Sequence, residues 1–329
     1  MQDLFSNWTG PDDHEDGGLR WHHIIQDIKE DSSGKDRDKI ALLGFCSDEG
    51  VRRNKGRVGA ARGPEAIRRA CANLPNHFPE GTLLFEAGDI HPEGKPLINA
   101  QEKLGERVAE LLRDGYFPIV FGGGHEVAWG TYSGVVKVTP PAKAIGIINV
   151  DAHFDIRKPV DGPTSGTGFY QIAQERRAAG QDFNYLCLGI QPHANTQALF
   201  RRADEWNVEY FPAYVLEAHR LDPIFETVEA FLEKVDSIYL SIDMDAFDAT
   251  YAPGVSAPNT LGLDPRHILP LLQEILYSQK VAAMDIAEVN PEYDIDGRTA
   301  KLAAVLTFEL LRAKIGDGEF LPKGPAPKR

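Results

Sequence analysis

The sequence predicts an α/β fold organised on a parallel sheet, either doubly wound or closed into a barrel. Two observations carry this. Apolar, strand-like runs alternate with candidate helices about eight times along the chain, and such alternation builds parallel sheets. Several runs (IALLGF, PIVFGG, IGIINV, SIYLSI) also lack polar–apolar alternation, the pattern of strands covered on both faces.

Taken in order, a polar opening runs to about residue 38. Candidate strands then cover Lys39–Phe45, Thr82–Glu86, Tyr116–Gly122 and Ala144–Val150. Four more follow at Tyr185–Ile190, Val208–Phe211, Ser237–Ile242 and Lys280–Ala287. Candidate helices between them are Gly63–Asn73, Asn99–Asp114, Glu126–Val138, Gln171–Ala179, Thr196–Glu205, Asp222–Val235, Pro265–Ser278 and Thr299–Ala313. Gly63-Pro64 and Asp264-Pro265 are helix starts, where a capping residue or an early proline suits the free N–H groups. No internal repeat or low-complexity linker is visible. A single domain over 39–315 is therefore expected, with 1–38 as a polar extension packed on it and 316–329 as a tail.

Bulk properties narrow the function. A hydrophobic fraction of 42% and a charged fraction of 26% fit a globular chain with a substantial core. No segment approaches the ~20 consecutive apolar residues that would span a bilayer. The N-terminus has no basic start followed by an apolar core, so no signal peptide is expected. Cys46, Cys71 and Cys187, odd in number and widely spaced, point away from a disulfide framework and towards the reducing cytoplasm. A formal net charge of −14 disfavours nucleic acid, whose phosphates demand a basic face. The terminal KGPAPKR is basic but short, and reads as a frayed tail.

Three runs carry chemistry: His125 in GGGHE, Asp151-Ala-His153-Phe-Asp155, and Asp243-Met-Asp245. Each directly follows a predicted strand, and C-terminal strand ends of an open parallel sheet converge on one crevice. Alternate residues at a strand end point the same way, so Asp151, His153 and Asp155 can face one point. A lone DxD is usually a solvated loop or a helix cap, and GGGHE lacks the Lys-Ser/Thr of a phosphate loop. All three together, each at a strand end, point to two divalent metals. Carboxylates mixed with imidazole, and no thiolate, suit Mn²⁺; Fe²⁺, Co²⁺ or Zn²⁺ remain open. Two such ions ~3.5–4 Å apart would activate a water for attack on an electrophilic carbon.

GGGHE, NVDAHFD, SIDMDAFD and the late AEVNP resemble, in order and separation, the signatures of the ureohydrolases, the family of arginase, agmatinase and formimidoylglutamase. The match runs from about Ile40 to the final helix. The resemblance implies a three-layer α/β/α fold with a central, mostly parallel, eight-stranded doubly wound sheet, and two Mn²⁺ ions per subunit. It places His125, Asp151, Asp155 and Asp243 on one ion and Asp151, His153, Asp243 and Asp245 on the other, with Asp151 and Asp243 bridging. Asp155 would also carry a proton from the attacking water to the leaving nitrogen. Glu288, in AEVNP, matches the carboxylate aimed at a guanidinium or amidinium. It follows the apolar run VAAMDIA, so it should project into the same crevice.

Within the family, Thr164–Gln171 has no His where arginases and agmatinases carry one, and this omission looks like formimidoylglutamase. SDEGVRRNKGRVGAARGPEAIR, the Ala194–Phe200 stretch and Arg157 resemble the same subgroup. Tyr170 departs from it, standing where many members carry a basic residue. Formimidoylglutamate offers an amidine carbon to attack and two carboxylates. Arg157 would pair with a carboxylate, as guanidinium does bidentately. Arg57, with Arg52, Arg53 and Asn54 on what reads as a Gly-rich loop, would add contacts, and Ser165 and Asn195 would hydrogen-bond the glutamate part. The expected activity is Mn²⁺-dependent hydrolysis of this small amidine to glutamate and formamide, in histidine degradation, by a cytoplasmic homo-oligomer. The alternatives are an arginase-, agmatinase- or guanidino-acid-type ureohydrolase, and a non-catalytic metal-binding homologue. Among the other histidines, His193 is expected to line the pocket, and His22 and His23 to cap a sheet edge.

Overall fold

The computed structural model describes residues 4–34, 38–92, 94, 96–217 and 222–316. The basic run 323–329 and His219 lie outside them. Nine strands form one sheet: β1 (Ile25–Asp27), β2 (Lys39–Phe45), β3 (Leu83–Ile90), β4 (Tyr116–Phe121), β5 (Ile145–Val150), β6 (Asn184–Ile190), β7 (Glu209–Pro212), β8 (Ser237–Asp243) and β9 (Val281–Ala287). Their spatial order is β1-β3-β2-β4-β9-β8-β5-β6-β7, and every pairing is parallel. Eight strands follow the predicted apolar runs. The ninth, β1, lies in the opening read as polar extension. With three residues and only Ile25 buried, it is too short to show a strand period.

That opening is held by specific contacts. Trp21 is fully buried against Phe78 and Phe308. The Trp8 indole N–H donates to Glu86 at 2.9 Å, and Lys39 pairs with Asp31 at 3.0 Å. His22 and His23 lie on a single turn, α1 (Trp21–Ile24), just ahead of the edge strand.

The remaining helices are α2 (Glu49–Arg53), α3 (Gly63–Cys71), α4 (Leu97–Arg113), α5 (Val127–Val138), α6 (Gly168–Ala178), α7 (Gln197–Glu205), α8 (Asp222–Lys234), α9 (Pro265–Tyr277) and α10 (Arg298–Ile315). Strand residues sort by parity onto two faces. Ile40, Leu42, Ile148, Val150, Leu240 and Ile286 pack with α3, α8, α9 and α10; Ala41, Leu43, Ile147, Tyr239 and Ala283 pack with α4, α5, α6 and α7. Each buried aliphatic or aromatic side chain contributes about 1.5–3 kcal/mol, so a one-residue slip, which exchanges the faces, is excluded. The result is a three-layer sandwich with open edges at β1 and β7, not a closed barrel.

The four central strands position the site. β4 and β5 lead into α5 and α6 on one face, whereas β8 and β9 lead into α9 and α10 on the other. The chain therefore changes face between β4 and β9 and again between β8 and β5. Crevices for ligands open at such switch points, outside the strand C-termini.

Candidate metal centre

One chemical group stands at the C-terminal end of each central strand: His125 after β4, Asp151 after β5, Asp243 at the end of β8, Glu288 after β9. His125 is delivered by a glycine turn pressed against the end of β2. Gly124 N–H donates to Ser47 O at 2.9 Å, and a Cβ on Gly123 would lie 1.8 Å from that same oxygen, so only glycine fits there.

His125 Nδ1 lies 3.1 Å from Asp151 Oδ2, 3.0 Å from Asp155 Oδ2 and 3.1 Å from Asp243 Oδ2. His153 Nδ1 lies 3.4 Å from Asp151 Oδ1 and 3.2 Å from Asp245 Oδ2. Two groups of ligand-type atoms result, each with members within 4.8 Å of one another: His125, Asp151, Asp155 and Asp243; and Asp151, His153 and Asp245. Asp151 offers one oxygen to each group. Asp243 joins only the first at this distance; its other oxygen accepts the Asp245 N–H at 2.8 Å. Asp155 and Glu288 hold positive φ, 47° and 66°, a costly conformation for non-glycine residues that concentrates at functional sites.

The cluster is electrostatically incomplete. Burial opposes charge on His125 and His153, yet the facing carboxylates, Asp243 for the first and Asp245 for the second, raise both imidazoles well above their ordinary range. Burial, with Asp245 and Asp151 beside it, raises Asp243 strongly, and burial raises Asp245. Asp151, also buried but flanked by both imidazoles, is lowered. Burial, reinforced by Asp243 and Glu126, lifts Glu288, and burial pushes Glu126 up to about 7. His125 Nδ1, Asp245 Oδ1 and Glu288 Oε2 are buried with no hydrogen-bond partner among the described residues. Buried polar atoms are rarely left so, and a buried carboxylate group needs a counter-charge. Divalent cations fit this donor set, and a substrate cation fits Glu288.

The predicted substrate residues divide. Arg157 Nη1 donates to Asn54 Oδ1 at 3.2 Å and Asn54 Nδ2 to Ser165 Oγ at 3.1 Å. Arg52, Arg53, Asn54, Arg157 and Lys158, together with the carboxylates Glu49 and Asp161, line an open cavity of ≈ 490 Å³. Only the first part of the predicted Gly-rich loop is helical: α2 ends at Arg53, its five residues too few to show a helical period, and Asn54 and Arg57 follow it in turn and loop. On α2, Arg52 and Arg53 both pair with Glu49, at 2.6 and 2.8 Å. Arg57 turns away. Its guanidinium donates to Val255 O and Ser256 O and lies 4.2 Å from the Tyr293 ring centre. Asn195 is buried and spends its amide on the loop backbone, accepting from Phe154 N and donating to Ala152 O and Gln191 O. Tyr170 packs on Trp206, and His193 faces Asn259 at 3.2 Å.

Sequence reading missed the supports. Ser241, Asp285 and Tyr239 stand behind His125, and Asn149 donates to Asp151 Oδ2 at 3.1 Å. The available signal was a polar letter inside an apolar strand: Asp285 within VAAMDIA, Ser241 within SIYLSI, Asn149 within IGIINV.

The arginase family model matches residues 38–312. A formimidoylglutamase of Aeromonas hydrophila is 43% identical over 309 residues, covering 93% of this chain and 97% of its own. One from Chromobacterium violaceum is 44% identical over 308 residues, again covering 93% and 97%. Among solved structures, the formimidoylglutamase of Bacillus subtilis superposes with a TM-score of 0.79 at 24% identity, covering 90% of this chain and 91% of that one. The formiminoglutamase of Trypanosoma cruzi, solved with Mn²⁺, gives a TM-score of 0.75 at 27% identity, covering 86% and 95%.

Proposed function

This chain belongs to the arginase family, and we propose that within it the chain is a Mn²⁺-dependent hydrolase converting N-formimidoyl-L-glutamate to L-glutamate and formamide. The relatives named formimidoylglutamase, at 43 and 44% identity over nearly their whole length, support the reaction. The observation that carries the substrate is the charge of the cavity lining, where Arg52, Arg53, Arg157 and Lys158 outnumber the carboxylates Glu49 and Asp161; with Arg52 and Arg53 paired to Glu49, Arg157 and Lys158 are the cations best placed for a substrate carboxylate.

His125, Asp151, Asp155 and Asp243 would hold one Mn²⁺, and Asp151, His153 and Asp245 the other, with Asp151 serving both; a second bridge by Asp243 is proposed on the resemblance to the family. Bound there, the pair would supply Lewis-acid activation of a water towards the amidine carbon. The chain's own residues do the rest. The free Oε2 of Glu288 accepts from the amidinium N–H and turns the electrophilic carbon towards the cluster. The carboxylate of Asp155 takes the water's proton and delivers it to the leaving nitrogen. Arg157, held by Asn54, and the hydroxyl of Ser165 orient the glutamate part. Arg57 and Asn195 serve instead by fixing the loops around the site.

We propose 39–315 as one catalytic domain whose sheet is completed at its edge by β1 of the opening, working as a cytoplasmic homo-oligomer in histidine breakdown. No described helix is long and apolar enough to cross a membrane. The test is product release after Mn²⁺ loading. Formamide and glutamate from formimidoylglutamate are expected, with no urea from arginine, agmatine or guanidino acids. Urea release in place of formamide would reassign the substrate.

A further inference from the structure

Beneath the candidate ligands runs a row of buried polar side chains aligned by strand register. Asn149 on β5 stands opposite Ser241 on β8, which stands opposite Asp285 on β9. All three are fully buried, one pleat below Asp151 and Asp243. Within this row the Tyr239 hydroxyl donates to Asp285 Oδ2 at 2.6 Å and the Ser241 hydroxyl donates to Asp285 Oδ1 at 2.7 Å. With its only proton committed to Asp285, Ser241 Oγ offers lone pairs to His125 Nε2, 2.9 Å away.

From this geometry we propose that Tyr239, Asp285 and Ser241 are positioning residues that set the tautomer and ring orientation of His125 for metal binding. The proposal rests on the reading of His125 as a ligand. An imidazole that gives its Nε2 proton to Ser241 keeps Nδ1 bare, and Nδ1 is the atom that faces Asp151, Asp155 and Asp243. Asp285 dictates the direction: a carboxylate can only accept, so the serine proton cannot turn towards the histidine. Outer partners of this kind typically change metal affinity about 10–100-fold when removed. The effect should fall on the ion held with His125, because the group of Asp151, His153 and Asp245 does not contain that imidazole.

The experiment is Mn²⁺ titration of the metal-free full chain, followed by the electron paramagnetic resonance of free Mn²⁺. Wild type should show two sites. Ser241→Ala should weaken one of them about 10–100-fold and leave the other nearly unchanged. Asp285→Asn keeps shape and packing but supplies a donor to Ser241; it should reproduce the one-site loss, whereas Ser241→Thr should restore binding. Tyr239→Phe, which keeps the Ser241–Asp285 bond, should cost less than Asp285→Asn. Should Ser241→Ala fail to fold, Asp285→Asn and Tyr239→Phe decide the question. Unchanged Mn²⁺ affinity at both sites in Asp285→Asn would overturn the proposal. Wild type that binds no Mn²⁺ would overturn the ligand reading instead.

Discussion

The backbone N–H of His125 donates to Glu288 Oε1 at 2.8 Å, and the Glu288 N–H returns to Gly123 O at 2.8 Å. The two bonds lock the metal-facing histidine loop to the substrate-facing carboxylate, across the β4–β9 switch point. Glu288 thus has two duties, one for each oxygen. Glu288→Gln can keep the bond from His125 while losing the charge opposite an amidinium. It should lower kcat/KM by about 10²-fold or more, a loss of roughly 3 kcal/mol, with Mn²⁺ content intact. Glu288→Ala should lose metal as well, because the His125 loop is released. Elemental analysis beside steady-state kinetics separates the two.

The metal-free protein should become less stable as pH rises. Glu126, raised to about 7 by burial, and the imidazoles of His125 and His153, raised by facing carboxylates, all bind protons more tightly folded than unfolded. Their stabilisation is complete at low pH. It is lost from about pH 4.5 to 7 for Glu126, and above about 6.5 for the imidazoles. For fully buried Glu126 the change is on the order of 3 kcal/mol. Thermal melts in EDTA should therefore show Tm falling between about pH 5 and 8, and Mn²⁺ should remove the part of the slope that belongs to the imidazoles, since it replaces their protons, while leaving the part that belongs to Glu126. A Tm that rises over this range in EDTA would contradict the cluster's electrostatics.

Arg57 and Arg157 should behave differently when truncated. Arg157→Ala removes a guanidinium from the cavity mouth and should raise KM by about 10-fold with kcat little changed, the signature of uniform binding lost. Arg57→Ala breaks bonds to Val255 O and Ser256 O and the stacking on Tyr293. It should lower Tm by a few degrees and leave KM alone. Unchanged kcat and KM in Arg157→Ala would remove its contact with substrate.

Asn195→Ala should act through the metal loop. It strips Phe154 N, Ala152 O and Gln191 O of partners in a buried setting, at a cost of about 1–3 kcal/mol. Because Ala152 and Phe154 flank His153, weaker Mn²⁺ binding should accompany the lower Tm, and excess Mn²⁺ should recover activity.

The strand ends were legible in the sequence because their physics is local. DAHFD and SIDMD place ligand side chains at alternate positions, and the apolar runs before them can only be doubly covered strands. Their neighbours depend on distant pairings. Asp285 supports His125 only because β9 lies beside β8 with Asp285 opposite Ser241, a register that no single run encodes. Arg57 and Asn195 carry the right chemistry for substrate, but their direction is set by the Val255–Ser256 loop and by the 152–154 backbone, both remote in sequence. Strand β1 escaped for a simpler reason: three residues with one buried side chain show no period.

Six side chains holding two cations is the central claim, and manganese counting tests it most directly. After Mn²⁺ loading and exhaustive dialysis, elemental analysis should find two ions per chain in wild type and a loss of both in Asp151→Ala, whose carboxylate faces His125 and His153 alike. Wild type with no bound manganese, or Asp151→Ala still holding two ions, would contradict it.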